Sequence, residues 1–60
     1  MGKRYIRRPE VETMTGLSTS TIYRMMSEGE FPRPIKLTRK AVAWAEDEIA
    51  DWLASRPVAA

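Results

Sequence analysis

The segment from Pro9 to Gly29 constrains this chain most, because its pattern demands a sharp break in the middle. Pro9, Glu10, Val11, Glu12, Thr13 and Met14 open it with a proline suited to a first helical turn, a carboxylate at the positive end of a helix dipole, and apolar side chains three apart. Gly16 then offers the residue most tolerant of a left-handed stop, Leu17 an apolar plug, and Ser18 a hydroxyl able to cap the next helix. That second helix, Thr19 to Glu28, places Ile22, Met25 and Met26 on one face and directs Ser20, Tyr23, Arg24 and Ser27 elsewhere. Two helices meeting at so tight a corner read as a helix-turn-helix, in which the second helix enters a DNA groove.

Beyond Gly29, the prolines at 32 and 34 stop any helix and stiffen the approach to a hairpin. Ile35 and Leu37 alternate with Lys36, and Val42 and Trp44 alternate with Ala41 and Ala43, so each strand is expected to turn an apolar face toward the helices. Thr38, Arg39 and Lys40 form the tip of this wing. A last helix, Glu46 to Ser55, begins with three acids and gathers Ile49, Trp52 and Leu53 on a core-closing face. The expected fold is mainly α with a small β-hairpin, a compact winged helix-turn-helix. Residues 1–8 form a basic arm, 9–56 the winged domain and 57–60 a short tail.

Three blocks of this sequence, in register along one short chain, carry a resemblance. They are Glu10-Val11 with the Thr15-Gly16-Leu17-Ser18 turn and Ser20-Thr21-Ile22-Tyr23-Arg24; Gly29-x-Phe31-Pro32-x-Pro34; and Val42-x-Trp44 followed by Glu48-Ile49-x-x-Trp52-Leu53. Together they resemble the AlpA family of small phage and prophage regulators, over about residues 5 to 56. The resemblance implies an excisionase-like DNA-binding domain, akin to phage excisionases and to the DNA-binding heads of MerR-type regulators. Members of that family often carry Gly near the wing tip; this chain has none between Ile35 and Trp44.

Composition sets the outer limits. Sixty residues allow one domain, and a chain this short buries only about 60% of the surface it exposes when unfolded. With no Cys and no His, disulfides, thiolate chemistry and the usual zinc sites are excluded, and no cofactor is expected. The cysteine-free composition suits a reducing cytoplasm, which the resemblance to phage regulators implies is the bacterial cytoplasm, and no apolar run approaches a membrane span. The net charge of +2 conceals a separation: residues 1–40 hold nine of the ten basic side chains, while 41–60 hold Arg56 against four acids. The basic part coincides with the helix-turn-helix and wing, where contacts to phosphate would be needed.

The DNA reading assigns roles as follows. If Ile22 points inward, Ser20 and Arg24 point nearly opposite, with Ser27 beside them and Thr21 and Tyr23 on the flanks. Arg24 offers a planar fork to guanine, and the hydroxyls of Thr19, Ser20 and Thr21 can meet bases or phosphates or serve as helix caps. Tyr23 can equally bury its ring and show only its hydroxyl. Lys36, Thr38, Arg39 and Lys40 of the wing suit the sugar-phosphate rail, or else guard an edge hairpin against aggregation. Lys3, Arg4, Arg7 and Arg8 of the arm reach phosphates or a minor groove, or belong to a solubilising tail whose Tyr5 and Ile6 form a short edge strand. Glu10 and Glu12 are poorly placed against phosphate and should face away from it.

The expected partner is double-stranded DNA, bound by a non-enzymatic regulator of a mobile element. It would act on transcription, for example of an integrase gene, or as an excisionase-like factor that bends DNA. A single small module buries a limited interface, so weak self-association or side-by-side assembly on DNA is expected. No membrane and no small-molecule substrate enter this reading. The alternative is a protein-interaction module, which would show exposed apolar residues on the second helix or the wing. Catalysis is remote: Glu46, Asp47 and Glu48 have no His beside them and no evident cleft.

Overall fold

In order along the chain, the elements are β1 (Tyr5–Ile6), α1 (Arg8–Thr15), α2 (Thr19–Ser27), β2 (Ile35–Thr38), β3 (Ala41–Ala45) and α3 (Glu46–Ala54). The structure, a computed structural model, describes residues 3–59, so Met1 and Gly2 of the arm and Ala60 of the tail lie outside the described residues. It has the winged-helix architecture expected from the sequence, three helices with a small antiparallel sheet.

The corner between α1 and α2 is tied at every step. Gly16 takes a left-handed φ of 74°, and its amide donates to the Glu12 carbonyl at 2.7 Å, closing α1. The Leu17 amide then donates to Thr15 Oγ1 at 3.2 Å. Ser18 caps α2 as expected, its Oγ accepting from the Thr21 amide at 3.3 Å. At the other end of α2, Gly29 is again left-handed at 74°. The Glu30 amide donates to the Met25 carbonyl at 2.8 Å and the Gly29 amide to that of Met26 at 3.1 Å, the paired bonds of a Schellman motif.

The sheet has the order β1-β3-β2, with both pairings antiparallel. Tyr5 and Ile6 therefore form an edge strand, pairing with Ala45 and Trp44. In the wing, no residue other than glycine has positive φ, so the turn at Arg39 and Lys40 lacks the left-handed residues that match a two-residue hairpin to strand twist. The register slips between Lys36 and Thr38 instead, leaving Leu37 as the extra residue of a bulge. Thr38 steadies the turn by accepting from the Lys40 amide at 3.2 Å.

The core is Ile6, Val11, Ile22, Phe31, Trp44 and Ile49, drawn from every element except β2 and from the segment between α2 and the wing. The expectation that Ile35 and Leu37 face the helices is corrected: they are 45% and 48% exposed. The register supplies the reason. Ile35 lies opposite Ala43 and so shares its face, while Trp44 and Ile6 occupy the other. Leu37 sits in the bulge. β3 also departs from a simple alternation, because as the central strand it buries Ala43, Trp44 and Ala45 alike.

Two indole groups hold the segment that joins α2 to the wing. Trp44 Nε1 donates to the Pro32 carbonyl at 2.9 Å, and Trp52 Nε1 to the Glu30 carbonyl at 3.0 Å. Between these anchors Phe31 is buried, meeting the Trp52 ring edge-on at a centroid separation of 4.7 Å. Arg56 covers another part of Trp52, its guanidinium carbon 4.6 Å from the ring centroid. Trp44→Phe removes one anchor and strands the Pro32 carbonyl, so it is expected to cost about 1–3 kcal/mol. The measurement is the urea midpoint followed by circular dichroism; an unshifted midpoint would show that this bond does not hold the segment.

Candidate nucleic-acid interface

α2 owes its position to its buried face. Ile22 is fully buried, while Met25 and Met26 are half-buried against the same core. The opposite face is thereby presented outward: Ser20 is exposed, Tyr23 is 45% exposed, and the Arg24 side chain is 66% exposed. Arg24 lies only at the limit of ion pairing with Glu28, 4.0 Å away one turn along the helix, so its fork is largely free.

Other hydroxyls of α2 have partners within the protein. Thr19 Oγ1 donates to Glu12, binding the start of α2 to α1 across the turn. Glu12 is also paired with Arg8 at 3.2 Å, so its carboxylate serves both helices. Thr21 Oγ1 accepts from Ser18 Oγ at 2.9 Å, and Ser27 Oγ donates back to the Arg24 carbonyl at 2.7 Å. Of the expected hydroxyl contacts, Ser20 is the one left pointing outward with only a long 3.4 Å approach to Ser18.

The basic arm divides in two. Arg4 bridges Glu10 at 2.9 Å and Glu46 at 3.2 Å, and its carbonyl accepts from the Glu46 amide at 2.8 Å. Lys3 lies 4.0 Å from Glu48. Both are thus turned toward the acidic start of α3. Each exposed pair contributes little, about 0–1 kcal/mol, but together they decide where the arm's charge goes. Arg7 and Arg8 sit instead at the start of α1, where they line a hollow with Pro9, Tyr23 of α2, and Lys40 and Val42 of the wing. This hollow has a volume of about 380 Å³.

Arg7, Lys36, Arg39 and Lys40 have no carboxylate within 4.0 Å among the described residues. The structure therefore brings Tyr23, Arg7, Arg8 and Lys40 to one concave surface, between the exposed side of α2 and the wing. Lys36, Thr38 and Arg39 lie on the same hairpin, all exposed. An arrangement of free cations about an exposed tyrosine suits a polyanion. The tethering role of Glu12 and the juxtaposition of Tyr23 with Lys40 escaped the sequence reading; both are contacts across elements, with no local pattern to announce them.

The family profile described as "Prophage CP4-57 regulatory protein (AlpA)" matches residues 4–57. The chain belongs to the AlpA family. It is 46% identical over 54 residues to "Uncharacterized protein ORF88" of Enterobacteria phage P4, an alignment covering 90% of this chain and 61% of that protein. It is 36% identical over 59 residues to the "DNA-binding transcriptional activator AlpA" of Escherichia coli K12, covering 88% of this chain and 84% of that protein. The chain thus spans less than two thirds of the phage P4 relative's length. Within this AlpA-family chain, no helix of the described residues is long and apolar enough to cross a membrane.

The partnering of the hydroxyls separates structural from outward-facing residues. Thr19→Val, which takes the donor from Glu12, is expected to lower stability by about 1 kcal/mol. Ser20→Ala should stay within about 0.5 kcal/mol of the parent. Urea denaturation of the two variants checks this, and equal losses would contradict the assignment.

Proposed function

We propose that this AlpA-family chain binds double-stranded DNA sequence-specifically and regulates transcription in a phage or prophage, with α2 in the major groove and the wing on the sugar-phosphate backbone. The observation that carries this reading is the shared concave surface on which α2 and the wing meet, lined by Arg7, Arg8, Tyr23 and Lys40. The family match and the name of the E. coli relative support it. Arg24 and Ser20 are the base readers in this proposal, and Tyr23 borders the backbone. Lys36, Arg39 and Lys40 supply phosphate contacts, with Thr38 at the tip. Thr19, Thr21 and Ser27, whose hydroxyls are engaged within the protein, act by holding the helix in place. The output is regulation of a promoter such as that of an integrase gene, or an excisionase-like bending of DNA at repeated sites. No catalytic step is required of the chain.

A second reading has its own observation. Ile35 and Leu37 lie exposed on the wing, the feature expected of a protein-docking surface. Titration by fluorescence anisotropy against the duplex flanking the chain's own gene and against a scrambled duplex, at several salt concentrations, separates the two. Tight binding to the flanking duplex and weaker, salt-sensitive binding to the scramble is the expected result. Absence of binding to either at low salt would transfer the case to protein docking.

Within the DNA reading, Arg24→Ala should lose about 1–3 kcal/mol of discrimination at one base pair. Lys36→Ala and Arg39→Ala should instead weaken binding across all sequences and lower the salt slope by about 0.9 each. Uniform losses for Arg24→Ala, measured over a set of single-base-pair variants of the site, would make it a phosphate contact.

A further inference from the structure

We infer that the outer face of the sheet is a contact between two copies of this chain, packed back to back so that their α2 helices point in opposite directions. The pairing register sorts the sheet into two faces. Ile6, Trp44, Val42 and Lys36 lie on one, which carries the core and reaches the hollow through Val42. Tyr5, Ala45, Ala43 and Ile35 lie on the other, spanning all three strands. Tyr5 is 47% and Ile35 45% exposed, while the two alanines between them are buried. An apolar strip with large side chains at its flanks and small ones at its centre therefore faces away from the core, and away from the surface assigned to DNA.

Charge decides what covers this strip. β3 runs from the wing tip, with Arg39 and Lys40, to the start of α3, with Glu46, Asp47 and Glu48. Among the described residues, Arg39 and Lys40 have no carboxylate within 4.0 Å, and Asp47 and Asp51 of α3 have no cation within that distance. The strip thus lies between a basic end and an acidic end. Two copies related by a two-fold axis that runs between the sheets and across the strands set the basic end of each against the acidic end of the other, twice over. The same rotation brings Tyr5 beside Tyr5 and Ile35 beside Ile35, closing the strip on itself with the strands antiparallel, as in aligned sheet packing. Pairing through the β2 edge would instead gather the cations of both wings along one seam. The face, and not the edge, is the favourable contact.

Two half-exposed apolar side chains per copy make a small interface, so the dimer is weak, with a dissociation constant on the order of 100 µM. Its consequence for DNA rests on the reading above, whereas the dimer itself does not. With both α2 helices turned outward, the pair holds two separate duplexes rather than adjacent sites on one.

Sedimentation equilibrium of the full chain without DNA should show a monomer–dimer equilibrium that stops at two copies. Ile35→Glu, at an exposed position, should weaken association by about tenfold or more with the circular dichroism spectrum unchanged. Asp47→Lys and Arg39→Glu should each weaken it by about tenfold alone, and an equimolar mixture of the two should restore it, since the mixed pair has one native and one reversed charge contact. A chain that stays monomeric at about 1 mM, or a mixture that associates no better than its components, would overturn the proposal and leave the strip to a different protein. Bridging is read separately, as recovery of a fluorescent flanking duplex on beads that carry the same duplex; it should appear with the parent and fall to background with Ile35→Glu. A dimer that binds single duplexes and bridges none would overturn the back-to-back arrangement. A dimer that binds no duplex would overturn the DNA reading and leave this contact standing.

Discussion

The structure depends on two indole N–H groups that hold one short segment of backbone. The chain must leave α2, turn at Gly29 and enter the wing with Pro32 and Pro34 preventing any helical continuation, so the intervening carbonyls have no regular secondary structure to satisfy them. Trp52 reaches from α3 to the carbonyl of Glu30, Trp44 reaches from β3 to that of Pro32, and Phe31 is buried between. Each tryptophan therefore supplies apolar area and a donor to the same place. The consequence is geometric: the angle between α2 and the hairpin is set by side chains of the two elements that follow the hairpin turn. A domain this small, with no cysteine to form a disulfide, has few other means of fixing that angle.

The charge distribution acts on the same framework. The acids that open α3 favour its N-terminus and also draw Arg4 and Lys3 toward them, while Arg4 reaches Glu10 of α1 as well. One side of the domain is thereby internally compensated. The cations of the wing and Arg7 have no carboxylate within 4.0 Å among the described residues, on and around the surface that α2 shares with the hairpin. Net charge alone would not have shown this, since +2 is small; the sorting of paired from unpaired cations matters more. The AlpA-family membership and the proposed DNA reading are both consistent with such a one-sided surface.

Much of the architecture was legible because it follows from local rules. Gly16 and Gly29 stand where helices stop, Ser18 caps α2, and the spacing of Ile22, Met25 and Met26 marks the buried side of that helix. The order of elements and the winged-helix class follow from those signals, and the three motif blocks identify the family. Strand facing was less legible. Alternation says that two faces differ, and leaves open which face the core will choose; the β2 register and the bulge at Leu37 turned Ile35 and Leu37 outward. The bulge itself is a matter of register, which appears only when two strands pair.

By itself, then, the sequence determined where helices begin and end, which side of α2 is apolar, that no cysteine or histidine chemistry is present, and which family the chain resembles. Those properties depend on residues within a few positions of one another, or on composition alone. The tertiary structure decided which basic residues are free, because pairing Arg4 with Glu46 or Lys3 with Glu48 joins opposite ends of the chain. It also decided that Thr19 serves Glu12, that Tyr23 and Lys40 line one hollow, and that two tryptophans hold the Glu30 to Pro32 segment. Each is a meeting of residues distant in sequence, where the available partners are set by packing.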